Sequence, residues 1–150
     1  MSLSRQGPDA RTLLSRARAL IDLGRHDDAA DLLDSVQADD PDLSGARALQ
    51  AFALLQMGKP SSALRCAELA AAAEPSSAAA QRLRSLALLD LRKRRAALAA
   101  AHQAVRLGPD HAFSWIALAD AYLGQQPQRL RRARKAAAVS YTHLTLPTKA

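Results

Sequence analysis

Three prolines, Pro41, Pro75 and Pro109, recur at a spacing of 34 residues. The stretch 44–77, which is one such period, contains a helix-like pattern, a glycine, a second helix-like pattern and a proline near its end. A fixed period of this length is typical of stacked supersecondary units, each of which buries its apolar face against the next unit. The spacing therefore predicts a repeated helical hairpin.

Small and large apolar residues recur with the same period. The first helices share a small residue (Ala17, Ala51, Ser85, Ala119) and a large one three positions later (Leu20, Leu54, Leu88, Tyr122), and the second helices share Ala29, Ala63 and Ala97. A small side chain lets two helices approach closely, and a large one fills the neighbouring groove. Because 35 residues are Ala and only 3% are aromatic, the core is expected to be thin. The predicted fold is an all-α solenoid of three to four stacked antiparallel helix hairpins.

The period divides the chain into a flexible leader, residues 1–9, and repeat units at about 10–43, 44–77, 78–111 and 112–138. Asp9 is expected to cap the first helix with its side chain, and Pro60 suits the first position of a helix. Gly24 and Gly58 end the first helices of two units, whereas Arg92 holds that position in the third. If the turn needs a positive φ, Arg92 costs conformational energy or changes the turn type.

The chain departs from the repeat after Leu123. A turn two residues longer than the others would bring three residues of a last helix inward, namely Leu130, Ala133 and Ala137. Residues 139–150 show no helical period, and Val139–Leu144 matches the translation of a transposon-end adapter used in sequencing libraries. We expect 139–150 to be a non-native tail and the natural protein to be truncated near Ala138. The alternative for this segment is a short strand.

Together these residues resemble the tetratricopeptide repeat over nearly all of the chain except its ends. The resemblance implies a right-handed superhelix whose first helices line a concave surface. In that family the fourth position of a unit is usually aromatic and the seventh is usually Leu, and only Trp115 and Leu118 comply. Polar residues replace them elsewhere, namely Arg47 and Gln81 at the fourth position and Arg16, Gln50 and Arg84 at the seventh. Their polar heads are expected to reach water while their stems cover apolar surface.

The resemblance further implies that positions five, nine and twelve of each unit form a partner-binding stripe on the concave surface. Carried onto this chain, the stripe contains Leu14, Arg18, Ile21, Ala48, Phe52, Leu55, Arg82, Leu86, Leu89, Ile116, Asp120 and Leu123. It is mostly apolar, which suits an amphipathic helix or an extended hydrophobic peptide. Family members that clamp chaperone carboxyl tails carry Lys and Asn here. Phe52 and Leu86 replace such Asn residues, so that role is not expected.

These features predict a cytoplasmic scaffold that binds a protein or peptide in the groove through Phe52, Leu55, Leu86 and Leu89, with Arg82 selecting an acidic group. In one alternative, the stripe packs on a neighbouring domain, and the chain is a regulatory or assembly part of a longer protein whose catalytic or membrane part is missing. In another, Arg92–Arg95 and the basic run 129–135 bind nucleic acid. That alternative is disfavoured because no aromatic residues interleave with either run. A truncated end would also allow self-association.

The net charge is +7, and the two basic runs are the only strong electrostatic features. No catalytic, cofactor-binding or metal-binding residues are predicted. The four histidines, at positions 26, 102, 111 and 143, lack a second ligand at metal spacing. Cys66 is the single cysteine, which fits a reducing compartment, and it is expected to be a small buried hydrophobe. No apolar run reaches the length of a membrane span.

Overall fold

The structure is a computed structural model that describes residues 9–35 and 45–124. Within these ranges the chain forms seven α-helices and no strand: α1 (Ala10–Asp22), α2 (His26–Asp34), α3 (Ala46–Gln56), α4 (Pro60–Ala73), α5 (Ala78–Asp90), α6 (Arg94–Leu107) and α7 (Ala112–Gly124). Consecutive helices pair as hairpins α1–α2, α3–α4 and α5–α6, and each hairpin packs on the next. The described part of the predicted solenoid is confirmed as three hairpins followed by the first helix of a fourth unit.

The core is built from alanines at the helix crossings. Ala17, Ala51 and Ser85 on the first helices have no exposed surface, and neither have their partners on the second helices, Ala29, Ala63 and Ala97. Without larger side chains at these points, neighbouring helices approach closely along their length. Ala119 of α7, the fourth predicted member of the crossing set, is exposed instead. The second helix expected to cover it lies outside the described residues.

The three hairpin turns share one backbone conformation. Gly24, Gly58 and Arg92 all have positive φ, of 75°, 70° and 64°. In each turn the following residue donates its N–H to a carbonyl five residues earlier, as in the bond from Arg25 N to Leu20 O at 2.8 Å. This is the Schellman arrangement that ends helices with a left-handed residue. Of the two outcomes considered for Arg92, the turn type is therefore kept and the residue is strained.

The helix starts differ in part from expectation. Pro60 is the first residue of α4, as predicted. The prediction for Asp9 was wrong in its detail, because Asp9 precedes α1 but its side chain makes no capping hydrogen bond. Ser77 does cap its helix, since its Oγ accepts a hydrogen bond from Ala80 N at 3.2 Å.

Several predictions lie outside the described residues: most of the leader, the last helix with Leu130, Ala133 and Ala137, and the non-native tail at 139–150. Among the helices of the described ranges, none combines the length and apolar character needed to cross a membrane.

Candidate functional site

A cavity of about 260 Å³ opens between the first helices of the three hairpins. It is lined by one residue of α1, Arg18, by Ala48 and Phe52 of α3, and by Arg82 of α5. All four belong to the predicted stripe, and the helices bring them together because successive first helices lie side by side. The volume lies just below the ~300–1,000 Å³ typical of ligand pockets, so it suits a side chain of a partner rather than a whole small molecule.

Small residues make the room in this cavity. Gly45, Ala48 and Ala79 lie along its wall, and Phe52 and Leu83 add larger apolar surface. Phe52 is half-buried, because part of it packs on the core formed by other residues of α3, α4 and α5. Its remaining surface is available to an apolar group that enters the cavity.

Two guanidinium groups, of Arg18 and Arg82, and the carboxylate of Glu74 line the cavity, so the lining has a net positive charge. Among the described residues, no carboxylate lies within 4.0 Å of Arg18 or Arg82. The Arg82 guanidinium lies over the Phe113 ring, 5.5 Å from its centre, which is the geometry of a cation–π contact. Burial lowers the pKa of Arg82, but an arginine side chain stays protonated in proteins. The cavity thus offers a fixed positive charge beside apolar surface.

The other residues of the stripe do not line this cavity. Leu14, Ile21, Leu55 and Leu89 pack against the buried clusters between helices. Leu86 is half-buried on α5. On α7, Ile116 is exposed, whereas Asp120 and Leu123 are half-buried. These eight positions lie on the first helices but outside the lining of the cavity, although Leu55 packs on the same buried cluster as Ala48 and Phe52.

The cavity contains residues that were not predicted. Glu74 and Ser77 come from the segment between α4 and α5, and Gly45 and Ala79 come from the starts of α3 and α5. Extending the stripe three residues toward the N-terminus of each first helix would have found Gly45 and Ala79, and also Phe113, which contacts Arg82 without lining the cavity. No signal in the sequence points to Glu74, since its place depends on the path of the connecting segment.

A second cavity, of about 410 Å³, lies between α2 and α4 on the other side of α3. It contains a chain of hydrogen bonds in which Arg47 Nη1 donates to Gln50 Oε1 at 2.7 Å and Gln50 Nε2 donates to Asp34 Oδ1 at 3.1 Å. Gln50 is only 5% exposed, so the expectation that its head reaches water was wrong. Asp34 and Arg47 satisfy its amide inside the protein instead.

Cys66 also lines this second cavity and is half-buried rather than fully buried. Burial raises the pKa of the Cys66 thiol, and the nearby charges of Arg47 and Arg65 oppose this only in part. Since the thiolate is the nucleophile, the protonated group is chemically quiet at neutral pH. Among the described residues, no group of three or more His, Cys, Asp or Glu side chains is placed to hold a metal ion.

The last described helix, α7, exposes four large apolar side chains, namely Phe113, Trp115, Ile116 and Tyr122. Trp115 is anchored by its indole N–H, which donates to Pro109 O at 2.7 Å, and Tyr122 contacts the His102 ring edge-on. Self-association through this end stays a prediction.

Stacked hairpins with a shared surface along their first helices define an α-solenoid repeat protein. A family model described as tetratricopeptide repeat matches residues 20–87. This match confirms the predicted resemblance to the tetratricopeptide repeat over residues 20–87.

Solved structures show the same fold. The first tetratricopeptide repeat domain of human RPAP3 is 20% identical, with a TM-score of 0.71 over 81% of this chain and 95% of that chain. The first such repeat domain of Spaghetti (RPAP3), bound to the HSP90 peptide SRMEEVD, is 20% identical, with a TM-score of 0.71 over 83% and 98%. The MamA protein is 17% identical, with a TM-score of 0.67 over 95% and 80%. Curated proteins include no significant match to the sequence.

Proposed function

We propose that this chain is a protein-interaction scaffold that binds a segment of another protein on the surface formed by its first helices. The cavity bounded by Arg18, Phe52 and Arg82 carries this proposal. The solved structures of RPAP3 repeat domains with HSP90 and HSP70 peptides support a peptide as the kind of ligand. The role is binding rather than catalysis, and a cytoplasmic location fits the single thiol.

The chemistry of the cavity favours a peptide with one apolar side chain next to one acidic group. The apolar side chain would enter between Ala48 and Phe52 and displace water from both. A carboxylate of the same peptide would accept hydrogen bonds from Arg82, whose planar guanidinium matches a carboxylate in two-point contact. Leu55, Leu86 and Leu89 would extend the apolar contact along the first helices.

This ligand differs from the acidic chaperone tails of the RPAP3 complexes. Those peptides, SRMEEVD and SGPTIEEVD, each end in several acidic groups. In this chain Phe52 and Leu86 stand where tail-clamping family members are expected to carry Asn. Each substitution removes a polar side chain that could bond a terminal carboxylate, so an apolar residue should contribute more to binding than a second acid.

The test is selection from a displayed library of random 16-residue peptides, followed by fluorescence anisotropy with the enriched peptides. We expect enriched peptides to pair a large apolar residue with Asp or Glu, and to bind with dissociation constants on the order of micromolar, as for other short peptides. Phe52→Asp and Arg82→Glu should each weaken binding by about tenfold or more, because one removes the apolar contact and the other repels the acid.

Arg106→Glu is the matched control, because Arg106 is exposed at the far end of α6 and undergoes the same charge reversal as Arg82. It should leave the affinity within about twofold. Phe52→Ala keeps the test valid if Phe52→Asp unfolds the chain. Enrichment of no peptide, or equal binding by Phe52→Ala and the parent chain, would overturn the proposal.

A further inference from the structure

The three hairpin turns lie along one edge of the protein, which we call the turn edge: residues 22–29, 56–63 and 90–97. Successive first helices contact each other and run in the same direction, since each is followed by an antiparallel second helix. The C-terminal ends of α1, α3 and α5 must then meet the same edge. The identical backbone of the three turns keeps that edge regular.

Charge changes steadily along the turn edge. The three segments have formal charges of −2, +1 and +3 and contain, in order, Asp22, Arg25, Asp27 and Asp28; then Lys59; then Asp90, Arg92, Lys93, Arg94 and Arg95. One end of the edge is therefore acidic, the middle is weakly basic and the other end is strongly basic.

Most of these charges have no ion-pair partner among the described residues. Arg25 and Asp28 form an ion pair at 2.7 Å. Among the described residues, no opposite charge lies within 4.0 Å of Asp22 or Asp27 at the acidic end. The same is true of Arg92, Lys93 and Arg95 at the basic end of the described edge, and all three are exposed.

The fold does not require the cation at Arg92. Gly24 and Gly58 make the same turn with the same hydrogen bonds, and glycine adopts positive φ without the steric cost that Arg92 meets at 64°. Arginine at this position therefore adds charge to the edge but introduces local backbone strain. This favours a role for the charge outside the chain.

We propose that the turn edge pairs with the turn edge of a second copy of this chain in antiparallel orientation. The acidic end of each copy then faces the basic end of the other, and the two-fold axis passes near the Gly58–Lys59 turn. A two-fold interface uses the same patch on both copies, so a single complementary pair of patches is satisfied twice. Parallel pairing would place like charges opposite each other.

A second copy fits this edge better than an extended polyanion does. A polyanion would gain contacts at Arg92, Lys93 and Arg95 but would meet Asp22 and Asp27 at the other end of the same edge. Only a partner whose charge reverses over the same distance matches both ends, and the chain itself is such a partner. The groove on the first helices takes no part in this contact.

The contact is weak and sensitive to salt. Exposed ion pairs each contribute little, and they are screened within about 8–10 Å at physiological ionic strength. We expect a reversible dimer that is visible in sedimentation velocity at high protein concentration in ~20 mM NaCl and dissociates in ~500 mM NaCl.

Charge reversal of the full chain tests the pairing. One variant, Arg92→Glu with Arg95→Glu, makes both ends of the edge acidic, and the other, Asp22→Lys with Asp27→Lys, makes both ends basic. Each variant alone should stay monomeric at low salt, and an equimolar mixture should form a heterodimer whose affinity exceeds that of the parent pair. Arg106→Glu, away from the edge, should dimerise like the parent chain.

Lys59→Gln distinguishes a second copy of the chain from a polyanion as the partner. In the antiparallel pair two Lys59 side chains approach each other at the axis, so removing their charge should tighten the dimer about twofold or more. Circular dichroism verifies that each variant is folded. A parent chain that stays monomeric at low salt, a mixture that does not associate, or weaker self-association of Lys59→Gln would overturn the proposal.

Discussion

The hairpins α3–α4 and α5–α6 have the same backbone but reach it with different residues. At the turn, Gly58 of α3–α4 corresponds to Arg92 of α5–α6, and their φ angles differ by only a few degrees. At the helix crossing, Ala51 corresponds to Ser85, whose Oγ donates to Ala97 O at 2.8 Å. At the C-terminal end of the second helix, the backbone of Glu74 matches that of Gly108.

The two hairpins show that the backbone conformation limits the choice of residue at some positions, whereas side-chain packing limits it at others. The turn accepts Arg92, so the hydrogen bonds around it outweigh the strain of a side chain at positive φ. Gly108 has an ordinary negative φ of −138°, so it is not needed for the backbone, but its surroundings leave no room for a side chain. The crossing tolerates a hydroxyl because a carbonyl lies within reach of it.

The largest change in stability is expected from a larger side chain at the helix crossing of α5–α6. Ala97→Leu inserts three carbons where Ala97 has no exposed surface, and we expect a loss of about 3 kcal/mol in the free energy of unfolding. Ala99→Leu on the exposed side of the same helix should change it by less than about 0.5 kcal/mol. Urea denaturation measures both, and equal losses would show that the helices do not cross at Ala97.

A smaller loss is expected from adding a methyl group at Gly108. The new Cβ would lie 2.8 Å from Ala78 Cβ and 2.7 Å from His111 Nδ1, and the start of α5 cannot move without disturbing the stack. We expect Gly108→Ala to lower the melting temperature, with a cost of about 1–2 kcal/mol.

Glu74→Ala is the matched change in α3–α4, because Glu74 has nearly the same φ as Gly108 and is exposed. It should cost less than about 0.5 kcal/mol. If Gly108→Ala proved as mild as Glu74→Ala, the packing of α6 against the start of α5 would be looser than described.

The smallest expected change is a gain in stability. Arg92→Gly should raise the free energy of unfolding by roughly 0.5–1 kcal/mol, because glycine adopts φ near 64° without steric conflict. The reverse change in the other hairpin, Gly58→Ala, should lower it by about 1 kcal/mol. Chemical denaturation checks the pair. A loss of stability in Arg92→Gly would mean that the arginine side chain stabilises the turn in another way.

Much of the fold could be predicted because its rules are local and repeat. The turn glycines, Pro60 and the small crossing residues each act within one hairpin, so a 34-residue period specifies them. The burial of Gln50 could not be predicted in this way. Its hydrogen-bond partner Asp34 lies in the preceding hairpin, and nothing local distinguishes Gln50 from an exposed polar residue.

The candidate site could be predicted only in part for a related reason. Arg18, Phe52 and Arg82 were predicted because the family resemblance assigns them to the concave face of the first helices, and all three line the cavity. Glu74 was missed because it enters the cavity from a connecting segment. Leu55 and Leu89 also pack partly against the buried clusters between helices, which sequence spacing does not reveal because it does not tell how far each first helix is rotated about its axis.

The proposed function depends on a partner binding on the surface of the first helices. The most direct measurement is a ¹H–¹⁵N correlation spectrum of the full chain titrated with a peptide selected as above. Binding should shift signals of Arg18, Phe52, Arg82 and their neighbours on α1, α3 and α5, and leave the exposed residues of α2, α4 and α6 unchanged. Shifts concentrated on the second helices instead would contradict the account.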